Sequence, residues 1–233
     1  MRTRALAAGG VFILTCAIGS AAAGEGKAAY PAMAPAAQYR VESPAGEAAL
    51  ARSAAPASIS GSADILTLGS KGYETAAKGK NGFVCLVERS WATGFEDPQF
   101  WNPKLRAPIC FNPAAARTLL PAYLERTEWV LAGVSKSDMA ARTKARVAAN
   151  TFVLPEAGAM AYMQSKQQYL SDADGRWKPH LMFFLAHTGG AAWGADLDGS
   201  PIFSAQSELA PVTTFFVPVA NWSDGTPFVM HTQ

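Results

Sequence analysis

Lys78-Gly79-Lys80-Asn81-Gly82-Phe83-Val84-Cys85-Leu86-Val87 is the stretch on which the reading of the fold turns. Asn81-Gly82 tolerates positive φ and marks a tight turn between extended segments. Phe83 to Val87 is an uninterrupted apolar run, so it reads as a strand with Cys85 inside it. Upstream, Asp64-Ile65-Leu66-Thr67-Leu68 is a second strand, Gly69 to Gly72 a turn, and Tyr73 to Ala76 a returning segment. These pieces predict a small antiparallel meander, with the folded unit beginning near Ala63.

Downstream, Ser90 to Asn112 changes character. It carries Trp91, Phe95, Phe100, Trp101 and Phe111 among Pro98, Pro103 and Pro108. Prolines at that density oppose a regular element, so a long ordered loop is expected. Cys110 stands near its end. In an oxidising compartment a Cys85–Cys110 disulfide would clamp it, and the spacing is far longer than that of a Cys-x-x-Cys redox pair. Trp91, Phe95, Phe100 and Trp101 on such a loop are candidates to stack on a sugar ring or cover an apolar ligand. The alternative is that they fill the space beneath a loop with no core of its own.

Asn112-Pro113 is an N-cap followed by proline at the first helical position. Leu120, Leu124, Leu131 and Val134 then recur at helical spacing, with Tyr123 beside them; Pro121 predicts a kink or two consecutive helices, and Gly133 a stop. Ser135 or Ser137 caps a further helix over Asp138 to Asn150. Strand character returns at Ala159–Met163, His180–Leu185 and Val212–Val217, separated by Gly- and Asp-rich loops. Strands, then two or three helices, then strands predict an α+β fold on a mainly antiparallel sheet with one disulfide, occupying residues 61–233.

The first 23 residues have the three parts of a secretory signal: Arg2 and Arg4, an uncharged apolar run from Ala5 to Ile18, and small residues ending at Ala23. The run falls short of the roughly 20 apolar residues of a membrane span, so none is expected after signal removal. Ile13-Leu14-Thr15-Cys16 departs from the bacterial lipobox at Thr15, which makes a lipoprotein anchored at Cys16 the second reading. The expected location is periplasmic or secreted. Residues 24–60 are rich in Ala and Pro and poor in large apolar side chains, which predicts a flexible tether. Within it, Ser43 and Pro44 offer the start of a short helix over Pro44–Ser53.

Arg2 and Arg4 account for the whole excess of 20 basic over 18 acidic residues. The remainder is formally neutral and has no electrostatic drive toward nucleic acid. There is no Gly-x-Ser-x-Gly, Ser-x-x-Lys, His-Glu-x-x-His or phosphate-loop pattern. No cofactor or metal is indicated, since Asp172-x-Asp174-Gly175 lacks the later ligands of a calcium loop. The three histidines are His180, His187 and His231, and His180 and His187, with Asp172 and Asp196 nearby in sequence, are the general acid/base candidates. Asp174 and Asp198 lie close to these aspartates, and all four also suit ordinary turns.

Gly79 to Val87, Pro108-Ile109-Cys110 and Trp177-Lys178-Pro179-His180-Leu181-Met182-Phe183 together resemble a family of uncharacterised exported bacterial proteins. The resemblance implies export and the disulfide, and it carries no activity. The expected function is thus a non-catalytic exported domain that binds a small molecule, a glycan or an envelope protein. The alternative is a hydrolase using His180 or His187 with a nearby aspartate.

Overall fold

The computed structural model describes residues 29–229. The expected signal segment, Cys16 and His231 lie outside them. In chain order the elements are α1 (Pro44–Arg52), α2 (Ala57–Ser60), β1 (Asp64–Leu68), β2 (Tyr73–Ala77), β3 (Val84–Glu88), β4 (Ala107–Phe111), α3 (Pro113–Thr118), α4 (Leu120–Leu131), α5 (Lys136–Ala148), β5 (Met160–Met163), β6 (His180–Ala186), β7 (Phe203–Gln206) and β8 (Val212–Pro218). The strands form one sheet in the order β2-β1-β3-β4-β5-β6-β8-β7. Every pairing is antiparallel except β1 with β3. The fold is α+β, with three helices between β4 and β5 and a Cys85–Cys110 disulfide.

The opening strands are not the simple meander expected. β2 and β3 flank β1 on opposite sides, so the Lys78–Gly82 turn crosses the start of β1 instead of closing a hairpin. Gly79 makes the crossing possible. A side chain there would meet the Ser62 carbonyl oxygen at 2.2 Å and the Ala63 carbonyl carbon at 2.4 Å. Asp64 Oδ1 accepts from the Gly79 amide at 2.6 Å, and Gly82 takes φ +74° before β3 begins.

The central strands β3 and β4 are buried on both faces, and alternate residues of each point oppositely. On β3 and β4, Leu86, Ile109 and Phe111 face the core beneath α3–α5, while Cys85, Val87 and Cys110 face the core beneath α1 and α2. Cys85 and Cys110 lie directly opposite each other in register, so the disulfide is a cross-strand link within the second core.

Two expectations are corrected here. Residues 90–112 are not one long loop, because β4 occupies Ala107–Phe111. Pro108 is accommodated because β5 pairs only with Cys110 and Phe111, leaving the Pro108 end of β4 paired on one side. Nor is the described part of 24–60 a flexible tether. α1 starts where expected, with Ser43 Oγ accepting from the Gly46 amide at 3.0 Å. Ala51 of α1, with Ala54 and Ala55 in the turn that follows it, packs against Ile65, Cys85 and Val87. Alanines suffice because they let a helix approach the sheet closely. Tyr39 is fully buried and tilts against Trp91 at 5.1 Å between ring centres.

The tie that locks this segment down is polar. Arg89 and Glu47 form a buried ion pair at 2.8 Å, with 0 % and 4 % of their side chains exposed. Arg89 Nε also donates to the Tyr39 carbonyl at 2.6 Å and Nη1 to that of Val87, while Glu47 Oε1 accepts from the Leu68 amide at 3.0 Å. α3–α5 follow the sequence closely: Asn112 Oδ1 accepts from Ala115, the chain breaks between Thr118 and Leu120 before Pro121, and Ser135 caps α5.

Candidate functional site

Three of the four aromatic candidates are core residues. Trp91, Phe95 and Phe100 are 0 %, 4 % and 1 % exposed, so they do not form an exposed contact surface, though Phe95 lines one of the cavities described below. Trp91 Nε1 donates to Thr127 Oγ1 at 2.9 Å; Phe95 stacks on Phe100 at 5.3 Å between ring centres, and half-buried Trp101 meets Phe100 edge to face at 4.6 Å. The segment 89–106 has no core of its own and borrows that of α4, which is why its rings turn inward.

The histidine and aspartate candidates are dispersed. His180 opens β6 and His187 follows its end, which separates them by roughly 23 Å at about 3.3 Å per strand residue. His180 is 1 % exposed among Trp177 and Phe216, and its Nδ1–H donates to the Lys178 carbonyl at 2.7 Å. Burial pulls its pKa down to about 4, so the ring is a neutral core group. His187 is exposed at φ +38° and lines a cavity of about 180 Å³ with Ser207 and Pro211 but no carboxylate. Asp172 accepts from Tyr169 at 2.5 Å, from Tyr30 and from Lys104 at 3.0 Å; these bonds hold its carboxyl well below the usual range. Asp196 accepts from Ser204 Oγ at 2.6 Å and from the Ser204 amide at 3.2 Å. Both aspartates organise loops, and neither reaches a histidine. Among the described residues, no group of three or more His, Cys, Asp or Glu is placed to hold a metal.

His180 makes a pH prediction. The unfolded chain takes up its proton near 6.5, the folded chain only near 4. Stability from this group is therefore complete above 6.5 and is lost as pH falls toward 4, by about 2–3 kcal/mol. In urea titrations across that window, His180→Phe is expected to remove this part of the slope. An unchanged slope in the variant would assign the loss to other groups.

The site the fold does build lies between α4 and the part of the sheet that α3–α5 leave uncovered. Its floor is Ile109 and Phe111 of β4, Met182 and Phe184 of β6, and Thr214 and Phe216 of β8. The Ser207–Pro211 segment joining β7 to β8 forms the far wall. Two cavities of about 260 and 420 Å³ share Ala92, Arg126, Met182, Ser207 and Thr214, and so make one trench.

Four charged residues line the trench: Asp97 and Glu208 in the outer cavity, and Glu88 and Arg126 at the inner end. Glu88, at the end of β3, points to the same face as Leu86. Its remaining surface opens into the trench, yet the apolar surroundings push its carboxyl up to about 8 against the pull of Arg126. Arg126 of α4 donates through Nη1 to the carbonyls of Trp91 and Thr93 at 3.0 and 3.2 Å, and its guanidinium lies 4.5 Å over the Phe95 ring. Burial lowers its pKa. Tyr123, one turn earlier, donates to or accepts from Tyr73 Oη at 3.1 Å, and its hydroxyl oxygen accepts from the Arg89 amide at 2.9 Å.

Neither Glu88 nor Arg126 stood out in the sequence. A signal was present: Arg126 falls on the inner stripe of α4, three residues from Tyr123 and four from Val130, and Glu88 continues the inward alternation of Leu86. Charges at core-facing positions are costly and are the informative ones. Comparison with family models, with curated proteins and with solved structures finds no match.

Proposed function

We propose that the chain is an exported, non-catalytic binding domain that takes a small, largely apolar molecule in the trench between α4 and the sheet. The trench itself carries this reading. It is concave, its floor is aliphatic and aromatic, and it holds a few convergent polar groups, which is the usual make-up of a small-molecule site. Export is supported by the signal pattern of residues 1–23 and fits a disulfide-linked core. No helix of the described residues is long and apolar enough to cross a membrane. A hydrolytic role for His180 or His187 gains no support, because among the described residues no acid shares a cleft with either.

The oxidised full chain tests the proposal by thermal melting against apolar small molecules, soluble sugars and divalent metals. Apolar ligands are expected to raise the midpoint with concentration, by about 2.7 kcal/mol of stability at a hundredfold excess over Kd. Ala122→Phe, which projects a ring from α4 into the trench, is expected to abolish the rise. A response to sugars or metals alone, or one that survives Ala122→Phe, would overturn this assignment.

A further inference from the structure

We infer that the molecule bound in the trench is a single-chain amphiphile with a carboxylate head, received by Arg126 and Glu88 together; this rests on the binding reading above and names its ligand class.

The half-buried guanidinium of Arg126 has five N–H donors, and those not spent on the protein open into the trench, where a ligand can take them. Only Nη1 of Arg126 donates to a described residue, and it does so to two carbonyls that fix the group in place. Nε and Nη2 have no acceptor among the described residues. The ring of Phe95 beneath the guanidinium blocks one face, so an acceptor must approach in its plane. Bidentate, in-plane approach is the geometry of a carboxylate. Glu88 is the nearby acid of the same cavity, yet it makes no hydrogen bond to a described residue and forms no ion pair with Arg126; only a longer-range attraction links them.

Charge balance selects a monoanion. The groups that face Glu88 are Arg126 and Tyr123 of α4, with Tyr73 of β2 behind Tyr123; β4 and β8 add no titratable side chain, and His180 of β6, on the same face as Met182, packs on Phe216 and does not line the cavity with Glu88. Both tyrosines are held neutral by burial. With Glu88 protonated, the inner end of the trench carries one uncompensated positive charge. An incoming carboxylate neutralises it, accepting N–H from Arg126 and O–H from Glu88. Asp97 and Glu208 line the outer cavity, where they oppose a second anionic group. An apolar chain therefore runs along Phe111, Met182, Phe184 and Phe216 from an anionic head at Arg126. The combined cavity lies in the range of about 300–1,000 Å³ typical of ligand sites.

The test uses the oxidised full chain with dodecanoate and dodecanol, both below their aggregation concentrations, and calorimetry as the readout. Dodecanoate is expected to bind tenfold or more tightly than dodecanol at pH 7, the size of effect of one charge-assisted bond. Arg126→Gln is expected to erase that preference. Because Arg126 also braces Trp91 and Thr93, a second variant guards against misfolding. Glu88→Gln retains a donor, so it is expected to keep the preference at pH 7. It is also expected to remove the loss of dodecanoate affinity that the unaltered chain shows as Glu88 ionises between about pH 7 and 9. Equal binding of acid and alcohol, or the same pH profile in Glu88→Gln, would overturn the anionic head while leaving the apolar trench in place. Binding of neither would overturn both.

Discussion

Replacing Glu47 with alanine is expected to destabilise the protein by about 3–5 kcal/mol, because it leaves the Arg89 guanidinium charged and unpaired inside the molecule. The carboxylate is also the acceptor for the Leu68 amide at the end of β1, so one substitution strips a buried backbone donor as well. Denaturant unfolding of Glu47→Ala measures this. Arg89→Met combined with Glu47→Ala is expected to recover part of the loss, since a buried pair is costly chiefly when broken on one side. The variant also tests what residues 29–60 contribute. If the segment were a tether, breaking its anchor would leave the melting transition in place. As the structure has it, α1 covers Ile65, Cys85 and Val87, and loosening it exposes a core. A loss below about 1 kcal/mol would mean that Arg89 finds another partner or water, and would reopen the tether.

Removing the disulfide with Cys85→Ala and Cys110→Ala is expected to cost about 3–4 kcal/mol, from the 25-residue separation that the bond closes in the unfolded chain. For a domain of this size that is a fall in the melting midpoint on the order of 10 °C. The fold itself is expected to persist, because the two residues are already neighbours in the β3–β4 register and the pairing on either side of them does not depend on sulfur. Far-ultraviolet circular dichroism at low temperature and a melting curve separate the two effects. A midpoint within about 2 °C of the oxidised protein would show that the loop through residues 89–106 is equally constrained without the bond, by Tyr39, Arg106 and Thr127.

These two cases also show how local and tertiary information divide. The cysteine pairing was legible because it needed only the count and the compartment, and the caps at Ser43, Asn112 and Ser135 because each is a contact between residues three apart. The tether was misread from composition. Alanine looks like too little apolar surface to anchor a helix, but it allows close packing on the sheet, and the Glu47–Arg89 pair spans 42 residues of sequence. The aromatic segment was misread for a related reason. Aromatics on a proline-rich stretch are the same residues whether they face solvent or a neighbouring helix, and only the position of α4 settles which.

The trench belongs wholly to the second kind of information. Its floor joins β4, β6 and β8, its charges come from β3 and α4, and its far wall from the segment before β8. No window of sequence contains two of these parts at a spacing that signals contact. By itself the sequence determined the strands and helices with strong periodicity, their α+β order, the cysteine pair and the lack of local catalytic motifs, since these depend on side-chain pattern and turn chemistry within a few residues. Only the tertiary structure decided that β1 sits between β2 and β3, that His180 and His187 stand at the start and just past the end of one strand, and that Glu88 and Arg126 share an apolar cleft. Strand order and burial arise from packing between distant segments, and it is that packing which sets Glu88 and Arg126 among apolar walls.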